Sequence, residues 1–177
     1  YSPAYNRLLS NKLTHNVLAA NTQVDNHISL EFKPGIHDAR SIIIEKYLER
    51  YKSPMKGNGD FIVKTADQLS EEFQVDSTHL SFITIAIAQA ESNLGKKMPP
   101  NCYNAWGWGI HSAGTLCFGN WEEGISTYMR GLAKDYMHLR GLITPEEIMS
   151  VYVPHSPNGA WAKNVNKFLN QIHNVSF

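Results

Sequence analysis

The stretch from Thr78 to Ser92, THLSFITIAIAQAES, is apolar nearly all round when wound as a helix: Leu80, Phe82, Ile83, Ile85, Ile87 and several alanines leave no polar face. A helix without a polar face is the buried centre of its domain, so this segment predicts a mainly α fold built around one interior helix. Asp76 or Ser77 offers an N-cap, and Gly95 is placed to end it. Glu91 lies four positions after Ile87 and three after Ala88, on the face those side chains occupy. No Lys or Arg stands between Lys64 and Lys96, so the local sequence supplies no compensating cation. A carboxylate at the end of a buried helix resists ionisation, and a carboxylic acid that keeps its proton near neutral pH is what a general acid must be. A carboxylate at a frayed helix end in water is the alternative reading.

Amphipathic stripes flank the interior helix on both sides. Before it, Asp38 can cap a helix carrying Ile44, Tyr47, Leu48 and Tyr51, stopped by Ser53-Pro54. After the turn at Gly57-Asn58-Gly59, Ile62, Ala66, Leu69 and Phe73 form a second stripe. Behind it, residues 99–119 hold two prolines, four glycines and two tryptophans, which suits a small β-hairpin or irregular lobe. Asn120 then opens a long stripe of Trp121, Ile125, Tyr128, Leu132, Tyr136 and Leu139. Thr144-Pro145-Glu146-Glu147 starts a short helix with Pro at its first position, and Trp161, Val165, Phe168 and Ile172 form the last stripe. The expectation is five or six helices over residues 36–177. Residues 1–35, where Val24 to Phe32 alternates loosely before Pro34-Gly35, read as an N-terminal arm packing on that body.

Composition narrows the function classes. The 177 residues carry 16 basic and 16 acidic side chains, for a formal net charge of zero. Charged residues make up 18% of the chain, against about 25% in an average globular domain. A balanced chain without a Lys/Arg cluster disfavours nucleic acid, whose binding rests largely on phosphate neutralisation, and an anionic membrane surface equally. The longest apolar stretch, Phe82 to Ala90, is far short of the roughly 18 residues that suggest a membrane span. Cys102 and Cys117 flank part of the Gly-rich stretch. In an oxidising compartment they could close a loop worth about 3 kcal/mol in the chain-entropy model, and two unpaired buried thiols are the alternative.

The run Ala86-Ile87-Ala88-Gln89-Ala90-Glu91-Ser92-Asn93-Leu94-Gly95, followed by Asn104-Ala105-Trp106-Gly107-Trp108-Gly109, resembles the catalytic core of the endo-β-N-acetylglucosaminidase branch of the lysozyme-like superfamily, the mannosyl-glycoprotein endo-β-N-acetylglucosaminidase-like cell-wall glucosaminidases. The resemblance continues through Phe118 to Ile125 and Tyr152 to Val165, covering roughly residues 38–172; residues 1–35 match no named pattern. It implies a lysozyme-like helical domain that cuts the glycan strands of bacterial peptidoglycan, or a related N-acetylglucosamine-containing glycan, with Glu91 as proton donor to the glycosidic oxygen. An aromatic hydroxyl, carried onto Tyr152, is implied to face that acid, although the loop Val153 to Gly159 departs from the family's usual wording. The resemblance further implies a secreted or wall-associated, extracytoplasmic protein, and with it a Cys102–Cys117 bond.

Further candidates come from the residues themselves. On an extended segment Trp106, Trp108 and Ile110 point to one face, and an amphipathic indole suits the apolar face of a sugar; one of the two tryptophans is expected in the core and the other against substrate. Trp161 is a candidate for the same wall, with packing as its competing role. Ser92 and Asn104 are candidates to hydrogen-bond the acid or an N-acetyl group, with capping and turn roles equally available. Glycoside hydrolysis usually pairs two carboxylates, about 5 to 5.5 Å apart for retention and about 6.5 to 9.5 Å for inversion. The nearest, Glu122 and Glu123, read as helix-start residues: Asn120 with Glu123, like Thr144 with Glu147, fits a reciprocal cap. A single essential acid follows, with the second role left to a positioned water, to the substrate's N-acetyl group, or to a sugar hydroxyl as in a lytic transglycosylase. A catalytically silent glycan-binding or scaffold domain is the rival from another class. None of the eight histidines sits in a metal-ligand motif, so no metal or other cofactor is expected. A cysteine peptidase using Cys102 with His111 or His155 fares poorly, because Cys102 follows Pro99-Pro100-Asn101 in a loop and not a helix start. The chain is expected to act as a monomer.

Overall fold

A computed structural model describes residues 38–109 and 116–176. The expected N-terminal arm, Ile110 and the rest of the 110–115 segment lie outside the described residues. The described residues form six α-helices: α1 (Ala39–Arg50), α2 (Gly59–Phe73), α3 (Ser77–Ser92), α4 (Trp121–Gly131), α5 (Pro145–Tyr152) and α6 (Ala160–His173). A π-helical stretch, Leu132–His138, continues α4, and a single 3₁₀ turn, Pro157–Gly159, leads into α6. The protein is mainly α, with no strand among the described residues.

The apolar helix is the centre. α3 packs against α1, α2 and α6, and Leu80, Ile83, Ile85, Ala86, Ile87 and Ala88 are fully buried. Burying an aliphatic side chain of this size is worth about 1.5 to 3 kcal/mol, so this one element anchors the core. Two of its inward hydroxyls are satisfied locally: Ser81 Oγ donates to the Thr78 carbonyl and Thr84 Oγ1 to the Leu80 carbonyl. Asp76 caps the start, accepting the His79 N–H. The flanking stripes turn inward as expected: Ile44, Tyr47 and Leu48 of α1, and Ile62, Ala66, Leu69 and Phe73 of α2, are buried. Arg40 binds the amino-terminal ends together by donating to Asp38, to Asp67 of α2 and to Ser77 of α3.

Helix α3 stops one step sooner than a glycine terminator requires. Asn93 and Leu94 already have φ of 54° and 59°, ahead of Gly95 at 82°, and Leu94 N–H reaches back to the Ala88 carbonyl at 3.0 Å. A left-handed leucine costs about 1 to 2 kcal/mol, and complete burial of the Leu94 side chain offsets it. Ser92 locks the stop: its Oγ accepts the Gly95 N–H at 2.7 Å and donates to the Ala105 carbonyl at 2.6 Å. Gly95 is needed for space, since a Cβ there would lie 2.7 Å from the Trp121 ring.

The long stripe after Asn120 is two kinds of helix. Ile125, Tyr128 and Leu132 are buried as the spacing predicts. Beyond Gly131 the i to i+5 bonding of the π stretch advances the chain differently around the axis. Leu139 consequently turns out to solvent, 65% exposed.

Candidate active site

Glu91 sits in the last turn of α3, one residue before the helix ends. As a residue it is open to solvent, but its carboxyl lies in a crowded aromatic corner. Burial there pushes the carboxyl up from the ordinary glutamate range, and a hydrogen bond donated by Trp161 opposes part of that shift. The solvent-facing side bounds its size. The negative end of the α3 dipole acts in the same direction as burial. Among the described residues, no charged side chain contributes to the shift.

The corner is built from aromatic rings. Trp161, at the start of α6, donates Nε1–H to Glu91 Oε1 at 2.6 Å. Tyr152, the last residue of α5, stacks on Trp161 with ring centroids 5.4 Å apart and an interplanar angle of 29°. Its hydroxyl donates to the Trp106 carbonyl at 2.6 Å. Burial, with the Glu91 charge adding to it, pushes the Tyr152 phenol up, so the phenol stays a neutral donor. Trp108 and Tyr136 complete the wall, each with its ring centroid about 6 Å from that of Tyr152.

The segment that carries the two tryptophans is not extended. It is a series of turns with Gly107 and Gly109 at φ of 62° and 66°, organised by Asn104. The Asn104 amide accepts from the Trp106 and Trp108 N–H groups and donates to the Trp108 and Leu116 carbonyls. All four of its hydrogen-bonding positions are used inside the loop, so Asn104 holds the lobe together. Ser92 is likewise engaged in the α3 stop. The Cys102–Cys117 disulfide closes the lobe, with Phe118 N–H donating to the Cys102 carbonyl beside it. The bond leaves Cys102 with no thiol to serve as a nucleophile.

Of the two tryptophans, Trp106 is fully buried, with Nε1–H donating to the Thr84 carbonyl in the middle of α3. It stacks almost parallel on Tyr128, at 4.6 Å and 8°. Trp108 is half-buried and meets the same tyrosine edge-on at 5.5 Å. Gly131 leaves room for the Trp108 ring, which a Cβ at that position would strike. The two indoles thus differ in burial, Trp106 lying in the core as one of them was expected to, and they stand on turns and not on a strand.

The carboxylates of α4 and α5 are helix-start groups. Asn120 Oδ1 accepts the Glu123 N–H, and Glu123 Oε2 accepts the Gly119 N–H one residue before the cap. Thr144 and Glu147 form the full reciprocal cap. The sequence reading did not place Tyr128 and Tyr136 at the site. Their inward spacing on the stripe marks both as core, and only the approach of α5 makes them part of the wall. The Tyr128 hydroxyl is fully buried with no well-formed hydrogen bond, although the Tyr152 hydroxyl lies near enough to perturb it.

Size alone does not pick this site. A hollow of about 640 Å³ lies instead along the outer face of α6, between Arg50, Lys163 and Lys167. Its lining has lysine, arginine and carboxamide groups but no acid held in an apolar setting. The Glu91 corner, by contrast, holds an acid in an aromatic setting. No protein-family model matches the chain, and no curated protein matches it.

Proposed function

We propose that the protein is a peptidoglycan glycosidase of the lysozyme-like kind, an endo-β-N-acetylglucosaminidase acting outside the cytoplasm, with Glu91 as its general acid. The observation that carries the reading is a carboxyl held against an aromatic wall at the end of the most buried helix, with no charged side chain among the described residues shifting it. Such a group keeps its proton at a pH where an ordinary glutamate has lost it. In the reaction Glu91 gives that proton to the glycosidic oxygen as the C1–O bond breaks, so the leaving sugar departs as an alcohol and the charge stays on the sugar ring. The exposed edges of Trp108 and Trp161 suit the apolar face of an N-acetylglucosamine unit. The disulfide supports an oxidising location.

A second outcome at the same centre is favoured by one further observation. Glu123 of α4 and Glu147 of α5 are committed to capping, and no acid among the described residues acts on Glu91. Collapse of the positive sugar centre then falls to water, to the substrate's N-acetyl oxygen, or to a sugar 6-hydroxyl. The last of these is the lytic transglycosylase product.

Glu91→Gln keeps the side-chain shape and removes the acid. Release of fragments from purified peptidoglycan should fall by about a hundredfold or more, the usual contribution of a positioned acid, while the circular dichroism spectrum is unchanged. Retained activity would exclude Glu91 as the acid. Mass spectrometry of wild-type products separates reducing ends from 1,6-anhydro ends. A wild-type protein that binds sacculi but releases nothing would instead identify a silent glycan-binding domain.

A further inference from the structure

We propose that Trp161 is the positioning residue of this acid: its indole N–H fixes Oε1 of Glu91 as the carbonyl oxygen and so assigns the transferable proton to Oε2. The inference rests on the general-acid reading of Glu91, but the test below separates the two.

An indole nitrogen is a donor with nothing to accept with. At 2.6 Å from Trp161 Nε1, Oε1 must therefore be the acceptor. In a neutral carboxyl the carbonyl oxygen is the better acceptor, so the donated bond selects one of two otherwise equivalent proton placements. The indole is itself held through a chain of contacts. Tyr152 stacks on its ring, the Tyr152 hydroxyl is tied to the Trp106 carbonyl, and the Trp161 backbone N–H donates to Ser156 Oγ at 3.0 Å. Trp106 is in turn tied to α3 through Thr84. A closed circuit thus runs from the middle of α3 through the disulfide lobe, α5 and α6 and back to the end of α3. It orients a carboxyl whose own helix ends one residue later. Proton transfer needs that orientation, because a carboxyl free to rotate spreads its proton over two directions and only one faces a leaving oxygen.

The titratable groups that interact with Glu91 are Tyr128 of α4 and Tyr152 of α5, both neutral phenols. No acid, lysine, arginine or histidine among the described residues perturbs it. Trp161 is therefore the one polar partner whose removal has a sign of its own. Its donated bond favours the ionised carboxylate, so losing it raises the carboxyl's titration midpoint. A wall residue without that bond acts in the opposite direction, because a smaller ring admits water and lowers the midpoint.

Trp161→Phe keeps a ring to stack on Tyr152 and deletes the donor. The side-chain carboxyl of Glu91, followed by carbon-13 NMR through a pH titration of the intact chain, should titrate at higher pH in the variant than in the wild type. An unchanged or lowered midpoint overturns the assignment. A second readout starts from the wild type. The chain has four tryptophans, and in the wild type one of the four indole N–H signals should move with the Glu91 midpoint. In Glu91→Gln, whose amide oxygen still accepts, that signal should stay close to its low-pH position and stop titrating. If no indole signal follows Glu91, the proposal fails. Neither readout uses turnover, so a protein with coupled titrations and no glycosidase activity would remove the enzymatic reading and leave the Trp161 pairing standing.

Discussion

At the scale of single residues, the Glu91 proton has consequences for both rate and stability. A general acid works only while protonated, so activity on peptidoglycan should hold below the raised midpoint of Glu91 and fall as pH rises through it. Stability follows with a definite sign. Between the ordinary glutamate range and the raised native midpoint, the folded protein binds more protons than the unfolded chain, so wild-type stability falls as pH rises there. Glu91→Gln removes that dependence. Thermal unfolding should therefore show the variant at least as stable as wild type near neutral pH. The difference should vanish below about pH 4, where glutamate is protonated in both states. A variant less stable at neutral pH than at acid pH, relative to wild type, would contradict a carboxyl held protonated by its surroundings. Glu91 was readable in the sequence because two local facts coincide at it: the period of α3 places it after Ile87 and Ala88, and the chain holds no cation nearby. The role of Trp161 was not readable. It depends on the path taken by Val153 to Gly159, where Asn158 and Gly159 both have positive φ and aim the first turn of α6.

At the scale of elements, the site depends on where three helices end. Glu91 is the next-to-last residue of α3, Tyr152 the last of α5 and Trp161 the second of α6. α5 has only eight residues and its start is held by the reciprocal Thr144–Glu147 cap. A helix this short has little stability of its own. Thr144→Ala should cost about 1 kcal/mol in urea unfolding, and because Tyr152 sits at the far end, glycan release should fall with it. Unchanged stability would mean that packing against α6 alone holds α5. The helices themselves were legible because their stripes keep steps of three and four and their caps carry Asp38, Asp76, Asn120 and Thr144. The π stretch was not, since its sequence continues the same spacing through Gly131 and the extra residue per turn shows only in the outward turn of Leu139. The lobe misled in the opposite way. Alternating Trp and Gly suggest a strand, but Asn104 supplies hydrogen bonds to its own loop that a partner strand would have had to provide.

At the scale of the whole molecule, the disulfide is the clasp of the circuit that ends on Glu91. Residues 102–117 include both Trp106, which reaches α3, and Trp108, which faces the wall. Removing the bond should cost about 3 kcal/mol by the chain-entropy argument. Urea unfolding with and without reductant measures this, and activity should be lost at reductant concentrations where most helical signal remains. Equal activity in both forms would mean that the Asn104 network suffices to hold the lobe. The scarcity of charge noted in the composition also bears on the acid, since among the described residues rings and one indole N–H, not ions, act on it. Dissolved salt acts by shielding charges from one another, over about 30 Å at 0.01 M and about 3 Å at 1 M. A proton governed by an aromatic wall offers it little to shield. On the proposed reading of Glu91 as the acid, the pH at which activity fails should therefore stay nearly constant from dilute buffer to brine.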